Sequence, residues 1–137
     1  MKKSFLETSI KINASKTKLW GMFTDVEFTK QMGGEYVSDW KVTSHLRWKG
    51  LNGQVLTDGI ILEIEPEKLL KHTLLNSGAS SDSDIMATLT YEFNEKDGYT
   101  TIGVREDFTN PVSEQEHADS LLGWNAALNA AKEIAEK

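Results

Sequence analysis

Glu106 is the first side chain that asks for a chemical explanation. In "YTTIGVREDF" it shares a strand face with Ile102, Val104 and Phe108, and a carboxyl group on an apolar face needs a hydrogen-bond partner to offset its lost hydration. It is either an anchoring or proton-accepting group at the bottom of a cavity or a group at a strand edge that emerges into water. Tyr91 alternates with Leu89 and Phe93 and can present a hydroxyl to the same space. Trp40 and Trp48 fall in register with Val42 and Leu46, and with Trp124 they form either an aromatic wall for a ligand or an ordinary aromatic core. Asn125, beside Trp124, either bonds a polar group of a ligand or faces water.

Other chemistries find less support. His45, His72 and His117 have neither i, i+4 nor H-x-H spacing, and with no cysteine in the chain a metal site is not expected. "GASSDSD" lacks the strand-to-helix elbow of a serine nucleophile. "GLNGQVLTDG" is glycine-rich but has no lysine and no following helix to cradle a phosphate. No nucleophile–base pair stands out, so no residue is assigned a catalytic role and no cofactor is expected. Basic and aromatic residues interleave in "WKVTSHLRWKG" as on a single-strand nucleic-acid surface, but the formal net charge of -6 opposes a phosphate backbone or an anionic membrane. The lysines of "MKKSFLETSI" precede no signal-peptide core, and no run nears the roughly 20 apolar residues of a spanning helix. The expectation is a cytoplasmic protein with neither a nucleic-acid nor a membrane partner.

The elements that must hold these residues can be read from periodicity. The 137 residues suit one domain, 1–137. "SFLETSIKIN" alternates as a half-buried strand with Leu6, Thr8, Ile10 and Ile12 on one face. Ser15 caps "KTKLWGMFTD", and Asp25 caps a second short helix ended by Gly33 and Gly34. "DWKVTSHLRWKG" alternates from Trp40 to Trp48 and predicts a strand. In "GQVLTDGIILEIEP" the pattern sets Ile60, Leu62 and Ile64 opposite Ile61, Glu63 and Glu65. "LLKHTLL", "IMATLTYEFN" and "YTTIGVREDF" follow as strands, the last two joined at Asp97-Gly98. The polar stretch Asn76–Asp84 is either a gate or a simple hairpin connection. Ser113 and Glu116 form a capping box at the start of a long terminal helix.

About five strands in hairpin succession favour an antiparallel sheet. Its apolar face needs a cover, and only the terminal helix, roughly 34 Å long, can supply it. That helix offers Leu121, Trp124, Leu128, Ala131 and Ala135 inward, with Gly123, Ala126, Ala127 and Ala130 beside them. So small a face either lets the helix approach the sheet closely or leaves a gap beneath it.

Several stretches carry a resemblance to a known family: "IKINASKTKLWGMFTD", "GIILEIEPEKLLKHTL", "LTYEFNEKDGYTTIGVREDF" and the "GW" of the last helix. Over Phe5 to Ile134 the chain resembles the START-like, helix-grip superfamily (SRPBCC, birch-pollen-allergen-like). Within it the chain is most similar to the domain at the C-terminus of the activator of heat-shock protein 90 ATPase. It departs from the family pattern between Thr29 and Trp40. The resemblance implies an α+β helix-grip fold: a curved antiparallel sheet of six or seven strands around a long C-terminal helix, with two short helices after the first strand. It also implies a cavity between sheet and helix that holds an apolar ligand in many relatives.

The function expected is therefore binding of a small, mostly apolar or aromatic ligand, with Trp40, Trp48, Tyr91, Glu106, Phe108, Trp124 and Leu128 as candidate cavity residues. Two alternatives follow from the resemblance. One is a co-chaperone-like module with a heat-shock protein 90 type partner, in a stress-response setting. The other is a cyclase- or hydrolase-type enzyme using the cavity.

Overall fold

Period-two burial defines most of the molecule. The computed structural model describes residues 2–75 and 85–137, so the Asn76–Asp84 stretch lies outside the described residues. Strand β1 (Lys3–Ile12) is followed by helices α1 (Lys16–Thr24) and α2 (Val26–Thr29) and a 3-10 turn (Lys30–Met32). Strands β2 (Gly34–Ser38), β3 (His45–Gly50), β4 (Val55–Glu65), β5 (Leu69–Leu75), β6 (Ile85–Lys96) and β7 (Tyr99–Val112) come next, and helix α3 (Glu114–Ala135) closes the chain. The strands form one antiparallel sheet in the order β1-β7-β6-β5-β4-β3-β2. The architecture is α+β, a helix gripped by a seven-stranded sheet.

Local chemistry sets the boundaries. The Ser15 side chain accepts from Lys18 N, the Asp25 side chain accepts from Glu27 N, and Gly33 ends the turn at φ 105°. Ser113 and Glu116 complete a reciprocal capping box on α3. Asp97 and Gly98 both take positive φ in the β6–β7 hairpin, as a two-residue turn requires.

Two expectations fail. The alternation from Trp40 to Trp48 does not make one strand: β3 begins only at His45. Trp40 and Thr43 have φ of 58° and 76°, left-handed values that no strand contains, and Val42 is exposed. The neighbouring strand is instead the short β2, "GEYVS", which pairs Tyr36 with Trp48. In β4, Leu62 is exposed while Ile61 is fully buried. A register shift between Ile61 and Glu63 is the cause, because a bulge moves every later side chain to the other face.

The sheet bends where β4 passes from β3 to β5. A Cβ on Gly59 would lie 1.8 Å from the Thr73 carbonyl oxygen, so only glycine permits this approach. Ile60 N donates to Thr73 Oγ1 at 2.9 Å across the same bend. The concave face holds Leu46, Ile61, Leu70, Leu89, Tyr91, Phe93, Ile102 and Val104, covered by Leu19, Phe23, Leu128 and Ala131. Both readings of the small helix face apply, on different turns. Ala131 and Ala135 are buried in close contact, whereas Ala127 borders open space.

Candidate ligand-binding site

A cleft of about 390 Å³ opens between the curved sheet and the cover of helices. Alternation on β6 turns Leu89 and Tyr91 into it, β5 contributes His72 and Leu74, and β3 contributes Leu46 and Trp48. Tyr36 enters from β2, and Thr57 and Asp58 from β4. Met22 of α1, Met32 of the 3-10 turn, and Trp124 and Ala127 of α3 form the roof. Gly34 keeps Trp48 in place: a Cβ there would sit 3.0 Å from the indole and 2.3 Å from Lys49 O.

The rings form a connected wall. Phe23 meets Tyr91 at 5.0 Å and Tyr36 at 5.8 Å between centroids, Tyr36 meets Trp48 at 4.8 Å, and Tyr91 meets Trp124 at 5.8 Å, all edge-to-face. Such pairs contribute about 0.5–1.5 kcal/mol each beyond their burial and hold the cleft walls rigid.

Four polar groups bear on this apolar space. Trp124 Nε1 donates to Glu106 Oε1 at 2.9 Å, and Glu106 is 7% exposed; the carboxyl lies inside, behind the tryptophan, and not at a wet strand edge. His72, 5% exposed, places Nδ1 2.8 Å from Thr73 O. A carbonyl only accepts, so Nδ1 carries the proton and Nε2 is the ring's bare acceptor. That Nε2 is buried and has no partner. Burial pushes the imidazole below its ordinary range, against the Thr73 bond, which raises it. The His72 ring stacks on Tyr91 at 5.8 Å and 17°. Tyr91 is pushed well up, first by burial and then by Tyr36 and Glu106, so its hydroxyl keeps its proton. Partial burial alone would raise Asp58, but bonds from His45 Nδ1 at 2.9 Å and Arg47 Nε at 3.3 Å outweigh it and hold the carboxyl low.

Of the residues read from the sequence, Trp48, Tyr91 and Trp124 line the cleft, and Glu106 supports Trp124 from behind. Trp40 packs on Tyr36 at 6.3 Å, Phe108 is half-buried opposite Ala87, and Leu128 is buried in the core one turn past Trp124; these three are not part of the cleft wall. Asn125 is turned away, its side chain joined to Thr8 Oγ1 at 2.7 Å. Sequence reasoning missed Tyr36, His72 and Asp58. Tyr36 sits in an unrecognised five-residue strand, and "LLKHTLL" has no alternation to reveal which way His72 points. Asp58 belongs to a strand whose first residues are exposed. Among the described residues no group of three His, Asp or Glu side chains is gathered to hold a metal ion.

Residues 13–136 match the family described as activator of Hsp90 ATPase homolog 1-like protein. The chain belongs to that family. Its helix-grip fold recurs in solved structures. A protein of Cytophaga hutchinsonii aligns at 24% identity with a TM-score of 0.78, covering 99% of this chain and 96% of its own. The Aha1 dimer from Colwellia psychrerythraea aligns at 17% identity and 0.76, covering 96% of each chain. CalU16 from Micromonospora echinospora aligns at 17% identity and 0.74, covering 98% of this chain and 82% of its own. At such identities the likeness speaks for the fold alone. No curated protein matches the chain. Among the described residues no helix is long and apolar enough to cross a membrane.

Proposed function

We propose that the protein binds a small, mostly apolar molecule in the cleft between its sheet and α3. The observation that carries this reading is the cleft itself, whose roughly 390 Å³ is walled by Trp48, Tyr36, Tyr91, Trp124 and two methionines. Ligand pockets span roughly 300–1,000 Å³ and combine apolar walls with a few fixed polar groups. Methionine adapts to ligand shape, while the interlocked rings resist collapse. Removing about 200 Å² of apolar ligand surface from water would contribute about 5 kcal/mol at ~25 cal/mol/Å², before the cost of association.

A panel of sterols, flavonoids, fatty acids and aromatic polyketides tests the reading. Binding in the cleft raises the melting temperature and quenches tryptophan fluorescence, because Trp48 and Trp124 line it. A panel that moves neither signal contradicts it.

The family match supports a second reading, a co-chaperone-like module acting on an Hsp90-type ATPase. It predicts co-purification with that ATPase and a changed turnover rate on mixing. An unchanged rate removes it.

A further inference from the structure

We infer that the ligand of this cleft is an uncharged aromatic molecule carrying a hydroxyl or N–H group, which it donates to Nε2 of His72. The inference rests on the cleft being a binding site and goes on to name the ligand's chemistry. Three observations support it. First, His72 borders the cleft and is 95% withdrawn from solvent, yet its Nε2 has no partner. The Thr73 carbonyl commits the other nitrogen as donor, so Nε2 can only accept, and a buried acceptor without a donor is costly unless something supplies one.

Second, the remaining polar inventory rejects an anionic head group. Among the described residues the cleft wall holds no lysine or arginine. Asp58 is the charged side chain in that wall, and its carboxylate is taken up by His45 and Arg47. Glu106 lies just behind Trp124 and consumes that indole N–H. A fatty-acid carboxylate would meet the bare Nε2 of His72 and the Asp58 carboxylate, with only the hydroxyls of Tyr36, Tyr91 and Thr57 to donate to it and no cation in the wall to balance its charge. Third, the ring planes of His72 and Tyr91, 17° apart, extend the aromatic wall up to the acceptor. A flat ring lying on that wall comes up beside the imidazole.

Three probes of nearly equal size test this by calorimetric titration: 2-naphthol, 2-methoxynaphthalene, which cannot donate, and 2-naphthoate, which is anionic. The expected result is that 2-naphthol binds about tenfold or more tighter than the ether, with the anion weakest. In His72→Phe the naphthol preference should shrink to about twofold or less while affinity for the ether stays level. Nitrogen-15 NMR of wild-type His72 gives a readout that does not depend on how the variant folds. The Nε2 resonance should move on adding 2-naphthol and stay in place with the ether. Equal binding of naphthol and ether, or an unmoved Nε2 signal, overturns the role of His72 but leaves cleft binding standing. Preferred binding of the naphthoate likewise overturns the uncharged-donor assignment alone. Failure of all three probes to bind overturns both.

Discussion

Trp124 on α3 and Glu106 on β7 are joined by an indole N–H to carboxyl hydrogen bond of 2.9 Å, 18 residues apart in sequence and on opposite sides of the fold's main interface. The bond ties the roof of the cleft to the sheet from behind. It also explains a carboxyl that sequence alone leaves stranded among Ile102, Val104 and Phe108.

Breaking that bond should cost stability from either end. Glu106→Ala leaves the half-buried Trp124 donor unmet and should destabilise by about 1–3 kcal/mol, with Trp124→Phe costing about as much. Glu106→Gln keeps an acceptor and should cost less than either. Urea unfolding of the single and double variants checks this: a coupling near zero in the double-mutant cycle would mean the pair is incidental.

The bend at Gly59 is the second structural commitment. Gly59→Ala drives a methyl into the Thr73 carbonyl, 1.8 Å away, and should destabilise by about 3 kcal/mol or more. Thermal unfolding followed by circular dichroism measures it, and a melting temperature equal to wild type would show that the sheet does not need the close approach.

How far the sequence foretold these features depended on what kind of signal each left. Caps and turns are local, so Ser15, Asp25, Ser113 and the Asp97-Gly98 hairpin were readable directly. The long alternations of β1, β6 and β7 were equally plain. Period-two reading broke where the backbone itself departed from the pleat. Trp40 and Thr43 enter the left-handed region, and a bulge at Leu62 exchanges the two faces of β4. The cleft proposed as the site was legible in its aromatic part, Trp48, Tyr91 and Trp124, because those residues sit on regular elements. His72 was not, since the leucines on both sides of it give no face. Nor can a linear pattern tell that Ala127 borders a space while Ala131, one turn on, is packed.

Acid should reveal His72. Burial lowers its pKa in the fold, so below about 6.5 the unfolded chain binds a proton that the folded chain refuses. Stability is then fully present above the unfolded value and is lost as pH falls through it, at no more than about 1.4 kcal/mol per pH unit from this group. Asp58 and Glu106 lie nearby, so the comparison with His72→Phe isolates the imidazole. Urea midpoints from pH 7.5 to about 5.5 should fall more steeply for wild type. Parallel curves would contradict a buried neutral His72.

Filling the space should weaken binding without unfolding the protein. Ala127→Trp places a large ring in the roof, where the wall now has a methyl group. Affinity for 2-naphthol should drop by about tenfold or more, with the far-ultraviolet circular dichroism unchanged. A plugged variant that binds as well as wild type would place the ligand elsewhere.

The most direct test of cleft binding is an NMR titration of labelled protein with 2-naphthol, mapping which residues respond. Saturable shifts gathered at Trp48, Leu89, Tyr91, Trp124 and Ala127 are the predicted result. Shifts confined to the outer face of the sheet, around Thr90, Glu92 and Arg105, or no saturable shifts at all, would contradict it.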